Sequence, residues 1–271
     1  MHVSTDTKTM YLLLRNELEI KQLHELIFKR NKVGRHPRWK YFTEDRLNGV
    51  KLGFRPNFPT AKFNVWLSFN GYSNGSTLLR DIFVLIPIER WMVKRLDIAF
   101  DSNLPYHQQH AIHPPKKATV DHYSPTSVYM GKRRSSIQLA HYDKQRERGE
   151  KRGLVTDAWV RAELRYRFPS MKKVADLKPD DFAAAKGYQI ITDLSGMPDN
   201  LREMVIQLNR GSKVGGMDWE SVTRAAQRKI REYGSAQGVN LHDLILSTLE
   251  IIDIGAFIYT PPLKQLGELS S

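Results

Sequence analysis

The chain has 271 residues, 41% of them hydrophobic, enough to bury a sizeable core in one or two domains. Forty-two Lys and Arg stand against 29 Asp and Glu, and the net charge of +13 favours a polyanionic partner, since each phosphate contact releases counterions. Cysteine is absent, which excludes disulfides, thiol catalysis and cysteine-ligated zinc.

Met1 to Asp6 lacks the basic-then-apolar layout of a signal peptide. No apolar run reaches the length of about 20 residues that spans a bilayer. The expectation is a soluble, cytoplasmic protein with no membrane partner. Leu12 to Phe28 carries apolar residues at helical spacing and reads as an amphipathic helix. Asn31 to Lys40 is a basic turn region. From there the period changes to two. Val50 to Phe54 and Phe63 to Phe69 alternate as strands, and Leu78 to Leu85 is a short helix that Pro87 should stop. Val93 to Asp101 is a strand with Leu96, Ile98 and Phe100 on one face and Arg95, Asp97, Ala99 and Asp101 on the other. Tyr106 to Lys117 reads as a polar loop. Strands follow at Ala118 to Tyr123, Ser127 to Met130, Ile137 to Tyr142 and Ala158 to Phe168.

Beyond Pro169 helical signals dominate. Asp218 to Tyr233 has an apolar stripe of Trp219, Val222, Ala226, Ile230 and Tyr233, with Arg224, Arg228 and Arg231 off it. Asn240 caps a last helix from Leu241 to about Ile254, with Gly255 as its stop. The fold class predicted is α+β: a central, mostly antiparallel sheet with flanking helices and a helical C-terminal third. Residues 1–170 form the expected sheet region. Residues 171–271 form the expected helical region, packed on the first.

Three groups of residues suggest chemistry. Asp97 and Asp101 share a strand face, where carboxylates are poor strand formers and costly when buried unpaired. They fit either ion pairs with neighbours such as Arg95 or a hard-cation site built on oxygen ligands. Arg161, Glu163, Arg165 and Arg167 share a second strand face, either as a solvated ion-paired row or as a carboxylate flanked by phosphate-binding arginines. The segment Tyr129-Met130-Gly131-Lys132-Arg133-Arg134-Ser135-Ser136, followed by His141-Tyr142-Asp143-Lys144, places basic turns around a strand that ends in a tyrosine. A tyrosine hydroxyl attacks a phosphodiester when a cation polarises the phosphate. Packing is the ordinary role of any one of eleven tyrosines. His107, His110 and His113 lie three apart in a proline-flanked loop and lack a metal-site pattern. No phosphate-binding glycine loop is present in the sequence.

Four blocks in order resemble the replication initiation factor family, the rolling-circle plasmid initiators and related conjugative-element relaxases that lack a two-histidine motif. They are Arg95 to Asp101, Val128 to Ser135, Tyr142-Asp143-Lys144 with Glu147, and Trp159 with Arg161-Ala162-Glu163-Leu164. They cover roughly residues 90 to 170. The resemblance implies that Tyr142 is the nucleophile of a DNA-nicking and strand-transferring enzyme. It leaves a 5′-phosphotyrosine and a free 3′-OH at a plasmid's double-strand origin. It further implies a Mg²⁺ or Mn²⁺ ion held by Asp97, Glu163 and Asp101, a homodimer, and a host helicase as partner. The DNA would be a duplex origin with an extruded hairpin presenting a single strand. Lys144, Arg133, Arg134 and Arg161 are the expected phosphate contacts, and Arg224, Arg228 and Arg231 the expected duplex contacts. A mobile-element relaxase and a non-catalytic DNA-binding protein are the alternatives.

Overall fold

In chain order the elements are β1 (His2–Leu12), α1 (Glu17–Lys29), β2 (Trp39–Asp45), β3 (Val50–Pro56), β4 (Val65–Phe69), α2 (Thr77–Leu85), β5 (Met92–Ser102), β6 (His110–Ile112), β7 (Val120–Ser124), β8 (Ser127–Met130), β9 (Ile137–Asp143), α3 (Lys144–Arg152), β10 (Val160–Lys173), β11 (Gln189–Ile191), α4 (Asp199–Arg210), α5 (Arg224–Gln237), β12 (Val239–Asn240), α6 (Leu241–Ile251) and α7 (Ile254–Tyr259). The structure, a computed structural model, describes residues 1–29, 36–71, 73–113, 120–153, 157–210 and 215–259. The described residues fall into two compact units. The first takes residues from Met1–Val3, Ala99–Arg165 and Pro179–Ile251, and the second from Ser4–Ile98, Tyr166–Lys178 and the segment after Ile251. Both mix sheet and helix, so the chain is α+β, and each strand register resolved is antiparallel.

In the second unit the strand order is β2-β3-β4-β1-β5-β10. β4 shows the rule that builds it: Val65, Leu67 and Phe69 are buried, while Trp66 and Ser68 between them are half-buried. Leu52 of β3 lies opposite Leu67 in register. Gly53 is needed here, because a Cβ at that position would sit 2.5 Å from the Trp39 ring. α1 buries Leu23 and Ile27, one turn apart. Ser76 caps α2 by accepting from the Leu79 N–H at 3.3 Å, and its hydroxyl reaches Asp45 at 2.7 Å.

In the first unit β5-β10-β9-β8-β7 form one sheet and β6-β11-β12 a second, small one. Ile190 pairs with Ala111, and Gln189 with both Ile112 and Asn240. α4 packs Leu201, Val205 and Leu208 against Ile112, Ile191 and Trp219. Each aliphatic side chain so buried contributes roughly 1.5–3 kcal/mol. The Asn209 side chain accepts from the Ala111 N–H at 2.9 Å, fastening α4 to β6.

Several sequence expectations shift. The first residues form a strand, and the helix expected from Leu12 begins at Glu17. Expected strands at β3, β4, β5, β7, β8, β9 and β10 are present within a few residues. The helix expected from Asp218 starts only at Arg224, where Thr223 accepts from the Ala226 N–H at 3.3 Å. Gly255 lies inside α7 rather than ending a helix. The break is at Asp253, whose carboxylate accepts from the Ala256 N–H at 2.8 Å. The loop expected at Tyr106 to Lys117 contains β6, and its residues 114–117 lie outside the described set, as do residues 31–35 of the basic turn. The boundary expected at residue 170 falls inside β10, which runs to Lys173, and helices α4, α5 and α6 belong to the same unit as β9.

Candidate active site

The period of two along β10 places Arg161, Glu163 and Arg165 on one face, and β9 brings Tyr142 to that face. The Tyr142 hydroxyl donates to Glu163 Oε2 at 3.2 Å. Glu163, only 3% exposed, accepts at its other oxygen from Arg165 Nε at 2.7 Å. Arg165 also lies over the Tyr129 ring, 5.5 Å from its centre. Lys144, two residues beyond Tyr142, holds its Nζ 5.4 Å from the centre of the Tyr142 ring and 2.5 Å from Glu147 Oε2. Asp143 between them caps α3 by accepting from the Arg146 N–H at 2.9 Å. That cap turns the chain from strand to helix directly after Tyr142. The result is a phenol hydrogen-bonded to a carboxylate, with an ammonium and a guanidinium nearby. A carboxylate so placed can take the phenolic proton, and the two cations would stabilise negative charge developing at the tyrosine or at a phosphate.

The other predicted carboxylates are placed differently. Asp101 and Arg161 are both fully buried, with Arg161 Nε and Nη2 donating to the two carboxylate oxygens at 2.8 and 2.9 Å. Trp159 Nε1 donates to Asp101 at 2.8 Å, and the Arg161 and Arg148 guanidiniums lie 5.3 and 5.1 Å from the centre of the Trp159 ring. Arg161, expected on phosphate, is therefore turned inward onto Asp101. Asp97, in the second unit, is fully buried and takes Arg95 as a two-pronged partner, with Arg95 Nε donating to Oδ1 at 2.8 Å. Each of the three carboxylates expected to hold a cation thus carries an arginine, and among the described residues no three potential ligands gather around one point. As arranged, this donor set does not fit a three-carboxylate cation site.

Of the expected DNA contacts, Arg133 and Arg134 are exposed in the turn between β8 and β9. Arg224 and Arg228 are exposed on α5, Arg228 lying 3.5 Å from Glu232. Arg231 packs inward instead. It donates to the His113 carbonyl at 3.2 Å, lies 5.4 Å from the centre of the Trp219 ring, and has its pKa lowered by burial.

Residues of the expected polar loop, Tyr106, His107 and His110, gather with His141 of β9 into a polar cluster in the first unit. His141, next to Tyr142, is fully buried and stacks on Tyr106 at 4.9 Å. Burial, and then nearby His110, push the His141 pKa down to about 3. Burial, and then His107, push His110 down to about 4. Burial and the Asp143 charge push Tyr106 up. Histidine spacing alone carried no sign of this, because β6 owes its place to β11, far along the chain.

No family model matches the chain, and no curated protein matches it. Among solved structures, one that matches is a rolling circle replication initiator protein from Geobacillus stearothermophilus, 14% identical over 87% of this chain and 98% of that one, with a TM-score of 0.43. That likeness is too distant to carry an argument. No described helix is long and apolar enough to cross a membrane.

Proposed function

We propose that the chain is a plasmid rolling-circle replication initiator that nicks one strand of its origin with Tyr142. The observation that carries this reading is the 3.2 Å hydrogen bond from the Tyr142 hydroxyl to Glu163. The bond gives Tyr142 the base within hydrogen-bond reach that a nucleophilic tyrosine needs. The net charge of +13 supports a DNA substrate.

In the reaction, Glu163 takes the phenolic proton as the Tyr142 oxygen attacks the scissile phosphorus in line. The new O–P bond is a 5′-phosphotyrosine. The P–O3′ bond breaks, and the departing oxygen takes a proton to leave a free 3′-OH that primes synthesis. Lys144 and Arg165 stabilise the charge on the phosphate, and Arg133 and Arg134 hold the flanking strand. Arg224 and Arg228 contact duplex DNA. Because the phosphotyrosine conserves the energy of the broken bond, a strand end can later be rejoined without a nucleotide cofactor. A homodimer on an extruded origin hairpin, followed by a helicase, completes the proposal.

A divalent cation remains part of the proposal as an addition to this site, with Glu163 its nearest candidate ligand; no step above is routed through it. The test is a supercoiled plasmid carrying the origin, incubated with the protein and Mg²⁺ or Mn²⁺. Wild type should relax it and form a covalent adduct. Tyr142→Phe should bind the DNA and leave it intact, and cleavage by that variant would remove Tyr142 from the reaction.

A further inference from the structure

Charge is spread unevenly along the chain. Residues 29–62 hold ten Lys and Arg against two acidic residues, a net +8 of the chain's +13. This stretch includes β2 and β3 of the second unit, whose sheet continues through β4 and β1. Strand register lines up Phe42, Gly53, Trp66 and Tyr11 in one row across the four strands. Residues directly opposite one another in antiparallel strands share a face of the sheet. α1 lies on the other face, where its His24 and Phe28 pack against Tyr41. The Trp39 ring covers Gly53, so the row is aromatic from end to end. Its rings lie close to parallel. His36 stacks on Phe42 at 4.9 Å between centres, Phe42 on Trp66 at 6.5 Å, and Trp66 on Trp39 at 6.3 Å. Trp39 is buried, but His36, Phe42, Trp66 and Tyr11 are only half-buried, so the row meets solvent.

Cations surround these rings. Arg38 and Lys40, just before Phe42 in the chain, are exposed, as are Arg55 and Lys62. The Arg38 charge reaches the Tyr11 hydroxyl, where it opposes the rise in pKa that burial causes. Arg55 keeps its long side chain although its backbone is left-handed, with φ at 53°, a conformation that favours glycine. Both acids of the stretch are occupied. Glu44 pairs with Lys51 and Arg46, and Asp45 accepts from Ser76 and Asn48.

We propose that this aromatic row is a binding surface for single-stranded DNA, formed by residues of the second unit alone. Bases stack on the uncovered parts of the rings, and the surrounding cations hold the phosphates. Rings set in a basic surface accept a single strand of any sequence, because every base has a flat face. A duplex offers phosphates but keeps its bases stacked inside, so the rings favour the open strand. The choice of DNA rests on the reading of the chain as a nicking enzyme, whose reaction yields an unpaired strand.

The test titrates the full chain with a single-stranded thymidine 20-mer while tryptophan emission is recorded. Of the five tryptophans, Trp39, Trp91, Trp159 and Trp219 are at most 6% exposed, so Trp66 is the one a base can stack on. Binding should quench the emission. Trp66→Phe keeps a ring and should bind nearly as wild type while losing the quench. Trp66→Leu removes the ring and should weaken binding, measured by fluorescence anisotropy, about fivefold or more. Because Trp66→Leu could disturb the sheet, a double variant of exposed residues, Arg38→Gln with Lys40→Gln, is also measured. It should lower the slope of log affinity against log salt by about 1.4. Binding without a quench, a quench that persists in Trp66→Phe, unchanged affinity in Trp66→Leu, or an unchanged slope in the double variant overturns the surface. So does a 20-base-pair duplex that competes as well as the single strand, or absence of binding. A uridine 20-mer that binds more tightly than the thymidine one overturns the choice of DNA. Nicking is scored separately on supercoiled plasmid, so the surface can fail while the nicking reading stands, and the reverse.

Discussion

Asp101→Asn separates a structural carboxylate from a metal-binding one. Asp101 accepts from Arg161 Nε, Arg161 Nη2 and Trp159 Nε1 at 2.8–2.9 Å, and neither member of the ion pair is exposed. The asparagine keeps the shape but removes the charge, leaving the Arg161 guanidinium buried without its counter-ion. Breaking a buried pair from one side costs about 3–5 kcal/mol. For a cooperative unit of this size each kcal/mol lowers Tm by roughly 2–4 °C, so the loss should be about 6–20 °C. Differential scanning calorimetry and urea unfolding measure it, and nicking by the fraction still folded should stay within a few-fold of wild type. A variant that keeps the wild-type Tm yet cannot nick would refute this reasoning and return Asp101 to the chemistry as a cation ligand.

Other outcomes follow from the same geometry. Glu163→Gln leaves Tyr142 a hydrogen-bond partner but no base, so nicking should fall about 10²–10⁴-fold while duplex binding, measured by gel shift, is retained; full activity would remove Glu163 from the proton transfer. Arg165 occupies one Glu163 oxygen, so Arg165→Ala should raise the affinity for Mn²⁺, measured by electron paramagnetic resonance; unchanged affinity would place cation binding elsewhere. His141 and His110 are held neutral in the fold, with pKa values near 3 and 4 against an ordinary 6.5. Their contribution is intact above pH 6.5 and is lost as the pH falls from there towards 4, because only the unfolded chain takes up the protons. Each group adds a slope of up to about 1.4 kcal/mol per pH unit across that window. His141→Leu should flatten the fall in Tm between pH 6.5 and 5.

The alternation of β4, β5 and β10 was legible because one face of each strand differs chemically from the other. It places Arg161, Glu163 and Arg165 on one face from the sequence alone. β1 escaped notice because its buried positions include Ser4, Thr5 and Lys8, which break the apolar rhythm. β6 escaped because a three-residue strand gains its identity only from β11. Strand phase could group Asp101 with Arg161 by face but could not say that Arg161 would close on Asp101 while Arg165 closed on Glu163. That choice depends on which neighbours leave each guanidinium exposed, and Arg165 alone of the two keeps some access to solvent. Arg231 shows the same limit. Its helical position put it off the apolar stripe, yet a long side chain can lie back over Trp219.

The most direct measurement is to trap the covalent intermediate on a single-stranded origin oligonucleotide, digest the complex and locate the modified residue by mass spectrometry. A nucleotide mass on the peptide containing Tyr142, absent after Glu163→Gln, is the expected result. The same mass on Tyr129 or another tyrosine, or nicking with no protein-bound nucleotide, would contradict it.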